Sequence, residues 1–169
     1  TVNDGTADSA SAYTMTVDVT PVNDAPTAAD STITFNEDEV GRFNGGSFNS
    51  SFSDVDGYPD RLLRIQITAL PDAGSLAFFN ADVTEGQVFN HGHEYGLVFT
   101  PDANGNGDPY TTFQFKVQSG TTHNGNLAWS ASSYTMTVDV TPVNDAPTAA
   151  NNTVTIAEEG THTFAASEF

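Results

Sequence analysis

The chain contains no cysteine. Disulfide bridges and thiolate metal sites are therefore excluded, which leaves core packing and oxygen-bound ions to hold the fold. Cations are scarce too: Arg42, Arg61, Arg64 and Lys116 are the only Lys or Arg residues against 22 Asp and Glu, giving a formal charge of −18 and a pI near 4.1. A nucleic acid or an anionic membrane would be repelled by such a chain, so neither is expected as a partner. Long apolar runs are lacking, which argues against a spanning helix and direct membrane insertion. There is no Cys nucleophile, no elbow pattern around a Ser and no phosphate-cradling Gly loop leading into a helix, so no enzyme is expected. The carboxylate excess has two readings. It opposes compactness unless cations sit where the acids cluster, and Ca2+, a hard ion that prefers oxygen ligands, is the expected one. Otherwise the acids form a solubilising coat.

What the chain does contain is a repeat. Seventeen residues, Tyr13 to Ala29, recur unchanged as Tyr134 to Ala150, an offset of 121 residues. Similarity continues downstream, where Ile33, Thr34, Glu37 and Phe43 match Val154, Thr155, Glu158 and Phe164. Upstream, Val2-Asn3-Asp4-Gly5 matches Val117-Gln118-Ser119-Gly120, with six extra residues in the later copy. Such a period divides the chain into residues 1–22 closing one repeat, 23–143 forming a complete one and 144–169 opening the next. A unit of about 120 residues can bury its own core. The chain begins at a Thr and stops mid-pattern at Phe169, with no initiator Met or signal peptide, so it is expected to be an excerpt of a longer protein. Repeated domains commonly space, display or adhere.

Tyr13-Thr14-Met15-Thr16-Val17-Asp18-Val19 alternates apolar and polar residues, which predicts a strand with Tyr13, Met15, Val17 and Val19 facing inward. The same alternation predicts strands over Leu63–Ile67, Tyr95–Phe99 and Phe113–Val117, with a shorter one over Thr32–Phe35. Turn signals separate them at Pro71-Asp72-Ala73-Gly74, Glu85-Gly86, His91-Gly92-His93, Asn104-Gly105-Asn106-Gly107 and Gly120. No window reads as an amphipathic helix. The pattern predicts an all-β protein, an Ig-like or cadherin-like Greek-key β-sandwich in a tandem array. A parallel β-helix is the rival, but its repeats are far shorter. Thr20-Pro21-Val22-Asn23-Asp24-Ala25-Pro26 and its copy Thr141 to Pro147 lie at the unit boundaries, where paired prolines predict short, semi-rigid linkers.

The linker Val22 to Pro26, the segment Phe35-Asn36-Glu37-Asp38 and the loop Ser53-Asp54-Val55-Asp56-Gly57 together resemble the cadherin-like tandem repeats of large bacterial adhesins and RTX-type surface proteins. Leu70-Pro71 with Gly74 and Leu76, Phe99-Thr100-Pro101, Asn104-Gly105 and Phe113 to Val117 match in the same order. The resemblance implies calcium at each junction. Asn23 and Asp24 would join Asp54 and Asp56 at the first, while Glu37, with Glu39 and Asp38 as alternates, would meet Asn144 and Asp145 at the second. Pro21 and Ala25 stand where the animal cadherin pattern has Asp and Asn, which implies fewer ligands per junction. The alternative for Asn23 and Asp24 is that they cap a turn.

Other motifs have two readings each. Asp102-Ala103-Asn104-Gly105-Asn106-Gly107-Asp108 looks like half of an EF-hand loop, but Phe113 occupies the twelfth position, which favours a Gly-rich hairpin turn. His91, His93 and Glu94 form either a partial zinc site, with His123 and His162 as further ligands, or a solvated loop. Trp129 either stacks on a sugar or packs a loop onto the sandwich. Asn49-Ser50-Ser51 and Asn151-Asn152-Thr153 match the glycosylation pattern.

As a function, the resemblance implies a calcium-stiffened spacer or adhesion repeat of a giant bacterial protein, secreted or held at the cell surface, serving adhesion or biofilm cohesion. Its partners would be neighbouring repeats, other copies of the protein and surface glycans. Two alternatives stand beside it: a subunit of an extracellular filament or sheath assembled by strand complementation, and a carbohydrate-binding module.

Overall fold

A computed structural model of the protein describes residues 2–20, 22–56, 61–120 and 127–168. Pro21, Gly57 and His123 lie outside the described residues, as do Thr121 to Asn126 of the six-residue insertion. In chain order the elements are β1 (Ser31–Asn36), β2 (Gly41–Arg42), α1 (Gly45–Asn49), β3 (Arg61–Ala69), β4 (Ser75–Phe78) and β5 (Ala81–Asp82). There follow β6 (Val88–Asn90), a 3-10 turn (Glu94–Gly96), β7 (Leu97–Thr100), β8 (Gly107–Gly120), β9 (Leu127–Trp129), β10 (Tyr134–Thr141) and a second 3-10 turn (Ala166–Glu168). The described strands form two sheets. The larger runs β1-β10-β8-β3-β6, with β9 also on β8, and the smaller runs β2-β7-β4-β5. β1 pairs with β10 in parallel, Ser31 opposite Met136 through Asn36 opposite Thr141, and the other pairs are antiparallel.

Inward-facing side chains of both sheets meet in one core. Ile65, Ile67, Phe113, Phe115, Val117, Met136 and Val138 enter from the larger sheet, and Leu76, Leu97 and Phe99 from the smaller. Each such burial contributes about 1.5–3 kcal/mol. One end of the core is closed by α1, five residues that no helical periodicity announces. A capping box starts it, with Asn44 Oδ1 accepting the Gly46 N–H and Ser47 Oγ accepting the Asn44 N–H. Its purpose is Phe48, whose ring meets Phe115 edge-on at 5.1 Å.

Several strand expectations need correction. Leu63 is only half-buried, because a register shift between Leu62 and Arg64 turns Leu62 into the core instead. Tyr95 belongs to the 3-10 turn and is exposed. Gly120 closes β8, opposite Arg61 and Leu127, so the strand ends where the turn signal stands. Asp102 to Asp108 is not a hairpin, since β7 and β8 lie in different sheets and this loop carries the chain between them.

The identical segments behave differently. In β10, between β1 and β8, Met136, Val138 and Val140 are buried. Tyr13 to Val19 forms no strand, and Tyr13, Met15, Val17 and Val19 are 72%, 88%, 76% and 84% exposed. Alternation makes a strand only where neighbouring strands accept its hydrogen bonds and cover its apolar face. Local geometry nevertheless repeats. Ser130 donates its N–H to the Val117 carbonyl at 2.8 Å, accepts the Val117 N–H on Oγ at 3.3 Å and donates that hydroxyl to the Ser132 carbonyl at 2.8 Å. Ser9 makes the same three bonds, to Val2 at 2.8 and 3.0 Å and to Ser11 at 2.8 Å. The turn between Val2 and Ser9 is braced by Asp4, whose carboxylate accepts the Thr6 and Ala7 N–H groups. Bonding to Ala7 and then Thr6 holds that carboxyl below its usual pKa.

No helix of the described residues is long and apolar enough to cross a membrane.

Candidate calcium-binding junctions

The linker sequence dictates a local turn that appears twice. Asn23 Nδ2 donates to the Asp24 carbonyl at 3.0 Å, and Asn144 Nδ2 donates to the Asp145 carbonyl at 3.1 Å. What differs is which part of the two-sheet fold grips each copy, and from which side.

At the first linker the grip comes from the acidic loop before β3. Asp24 donates its N–H to Asp56 Oδ2 at 2.8 Å, and the Asp56 N–H donates to Asp54 Oδ1 at 3.0 Å. Thr27 and Ser53 exchange both backbone hydrogen bonds at 2.8 Å, and the intervening Pro26 is buried. The four sequence-predicted residues Asn23, Asp24, Asp54 and Asp56 are thus brought into one cluster. Two of its oxygens, Asn23 Oδ1 and Asp54 Oδ2, are buried and receive no hydrogen bond. A buried acceptor without a donor is costly, and a hard cation is one partner that relieves the cost. The donor chemistry therefore fits Ca2+. The set is incomplete, because calcium takes six to eight oxygens. Among the described residues, no three Asp, Glu or His side chains form a metal-binding group on their own.

At the second linker the grip comes from Glu37, at the end of β1. Its side chain is almost wholly buried, at 3% exposure. Oε1 accepts the Val143 N–H at 2.6 Å and Oε2 accepts Asn106 Nδ2 at 2.8 Å, while the Glu37 N–H donates to the Thr141 carbonyl at 2.9 Å. Glu37 therefore reaches the linker one residue before Asn144 and Asp145, both of which are exposed. The alternates stand apart: Asp38 occupies a left-handed turn position at φ 63°, and Glu39 accepts Asn36 Nδ2 at 3.4 Å.

The partner that sequence reasoning missed is Asn106. The half-EF-hand loop spends its polar groups as braces. Asp102 Oδ2 accepts the Tyr110 hydroxyl at 2.9 Å and the Gly74 N–H at 3.1 Å, Asn104 turns the chain at φ 56°, and Asn106 holds Glu37. Beside it, Thr34, Asn106, Asp108, Asp139 and Thr141 line a cleft of about 330 Å³. Asp139 Oδ1 is buried there without a partner. Desolvation, and then the neighbouring Asp108 carboxylate, raise the Asp139 pKa.

Residues 91–93 form the loop between β6 and the first 3-10 turn, with Gly92 and His93 exposed. Glu94 is the buried member, at 1% exposure, with Oε1 2.6 Å from His91 Nδ1 and Oε2 accepting the Gly92 N–H at 2.7 Å. His93 faces the Tyr95 ring instead, with centroids 6.2 Å apart. Trp129 is half-buried in β9, opposite Gln118. Compared with known protein families, curated proteins and solved structures, the chain matches none.

Proposed function

We propose that this chain is a cadherin-like spacer or adhesion repeat of a giant extracellular bacterial surface protein, an Ig-like Greek-key sandwich whose junctions are stiffened by calcium. The observation that carries this reading is the complementary grip on one linker sequence. The copy at Asn23 is held by Asp56 of the unit that follows it, and the copy at Asn144 is approached by Glu37 of the unit before it. Where both grips act on one linker, its Val N–H is fixed from behind and its Asp N–H from ahead, with only the Asn between them. A connection pinned on both sides transmits direction from unit to unit, which is what a spacer requires. The orphaned oxygens of Asn23 and Asp54 support an ion at the first linker. The parallel pairing of β1 with β10 supports the Ig-like assignment.

Thermal unfolding and solution scattering in millimolar calcium, and again with a chelator, test the proposal. An ion at a hundredfold its dissociation constant stabilises the folded state by about 2.7 kcal/mol. Calcium is expected to raise the melting temperature and lengthen the particle, and an Asp54→Ala, Asp56→Ala double variant is expected to lose both responses. A wild-type chain indifferent to calcium would overturn the reading.

A further inference from the structure

Four Asn-Gly pairs occur in the sequence: Asn44-Gly45, Asn104-Gly105, Asn106-Gly107 and Asn124-Gly125, the last outside the described residues. Such a pair carries its own reaction. With no Cβ on the glycine to obstruct the approach, its backbone nitrogen can bond to the Asn Cγ while the Cγ–Nδ2 bond breaks, and Nδ2 leaves with the glycine proton as ammonia. Water then opens the five-membered imide at either carbonyl, giving Asp or isoaspartate, the latter with an extra methylene in the main chain. The structure separates the three described pairs. Asn44 caps α1, its Oδ1 held by the Gly46 N–H at 2.8 Å. Gly105, the nucleophile beside Asn104, already donates its N–H to the Asp102 carbonyl at 2.8 Å. Asn106 is exposed, and Gly107 opens β8 where the ladder with β10 slips register between Val138 and Val140. Its Nδ2, the atom the reaction expels, is also the atom that holds Glu37 Oε2 at 2.8 Å and reaches the Asn104 carbonyl at 3.4 Å.

We infer that Asn106 is a site of spontaneous deamidation, and that its conversion to Asp or isoaspartate loosens the hold of Glu37 on the second linker. Loss of Nδ2 removes the donor, and a carboxylate takes its place beside one that is 3% exposed. Like charges at that spacing repel. Asp108 and Asp139 line the same cleft as Asn106, so the added charge enters a place that is already acidic. Glu37 relieves the repulsion by turning away or by taking up a proton, and either change weakens the bond that its Oε1 makes to the Val143 N–H at 2.6 Å. The grip on the linker therefore ages with the chain.

The test uses the full chain in a chelator, so that failure of the calcium reading and failure of this inference are distinguishable. Aged in warm, mildly alkaline buffer and mapped by peptide mass spectrometry, the wild type should convert Asn106 ahead of Asn44 and Asn104, with ammonia released in step and isoaspartate among the products. Asn106→Gln keeps an amide but needs a less favourable six-membered ring, so it should stay unmodified at that position. Asn106→Asp presents the product directly. Its melting temperature should fall by about 5 °C, and hydrogen exchange at the Val143 amide should quicken about tenfold. Aged wild type should move the same way as its converted fraction grows. The inference is overturned if Asn106 converts no faster than Asn44 and Asn104, if Asn106→Asp melts with the wild type, or if Val143 exchange is unchanged in that variant and in the aged chain.

Discussion

Replacing Glu37 by Ala separates a structural carboxylate from one that matters only as an ion ligand. Its two oxygens accept the Val143 N–H at 2.6 Å and Asn106 Nδ2 at 2.8 Å, and the side chain is 3% exposed. Hydrogen bonds to a charged acceptor contribute about 1.5–3 kcal/mol each. Both donors sit on exposed residues, Val143 at 44%, so water can reach them once the carboxylate is gone. The lower bound therefore applies to each, and the expected loss is about 3 kcal/mol. In a unit of about 120 residues that lowers the melting temperature by about 10 °C. Glu37→Gln should lose only about a third as much, because its carbonyl can still accept from Val143 and its amide can donate to a flipped Asn106. Thermal and urea unfolding, followed by circular dichroism in a chelator, measure both. A Glu37→Ala variant within about 0.5 kcal/mol of wild type in the chelator would refute the reasoning, since ordinary surface substitutions fall in that range.

Two further outcomes follow from local geometry. Gly74 sits at φ +71°, and a Cβ there would lie 2.5 Å from Phe99 Cζ and 2.8 Å from the Thr100 carbonyl oxygen. Gly74→Ala should therefore cost about 2–4 kcal/mol from left-handed strain and overpacking, read as a lower urea midpoint, and an unchanged midpoint would sink the argument. For Asp139 the folded pKa is raised, by desolvation first and Asp108 second. A raised carboxyl contributes stability that is present below its unfolded pKa and lost as pH rises through the folded one. Asp139→Asn mimics the protonated form. It should match wild type near pH 3 and be the more stable protein near pH 7, and melting temperatures across that range would contradict this if the difference were flat or reversed.

Period-2 alternation identified β1 and β8 because each presents one face to a single core, and the alternation read at Tyr13 to Val19 makes a strand in its identical copy, β10. It failed where the backbone departs from regular pairing. The shift between Leu62 and Arg64 moves the buried leucine by one position, and nothing in a list of residue types marks where a ladder slips. It failed at α1 because five residues are too few to show a period, so the Asn44 and Ser47 caps are the only local signal. Tyr13 to Val19 failed for a deeper reason, since an identical sequence is a strand at one place and not at the other. The candidate site was legible where its parts are close to a motif, as with Asn23, Asp24, Asp54 and Asp56. Asn106 was hidden because its role depends on Glu37, 69 residues away. The same holds for Glu94, whose burial follows from the 3-10 turn and not from any pattern of neighbours.

The scarcity of cations also explains how the acids are used. Four Lys and Arg cannot pair with 22 carboxylates. Among the described residues the acid–base contact is His91 with Glu94. Instead, carboxylates terminate backbone N–H groups that secondary structure leaves over: Asp4 takes Thr6 and Ala7, Asp30 takes Thr135, and Asp54 takes Asp56. Asp56 takes Asp24, Glu37 takes Val143, Glu94 takes Gly92, and Asp102 takes Gly74. A carboxylate is an acceptor-only group with about four lone-pair sites, so it suits loops rich in orphan donors better than an ion pair would. Those of Asp4 apart, these bonds sit beside the linkers or where the chain crosses between the sheets. The negative charge is thus more than a solubilising coat: part of it is structural, and its mutual repulsion is the cost of that choice. On the proposed function, cations at Asn23, Asp54 and Asp56 would offset that repulsion at the residues that grip the first linker, so loss of the grip and loss of a calcium response are expected together in variants of Asp54 and Asp56.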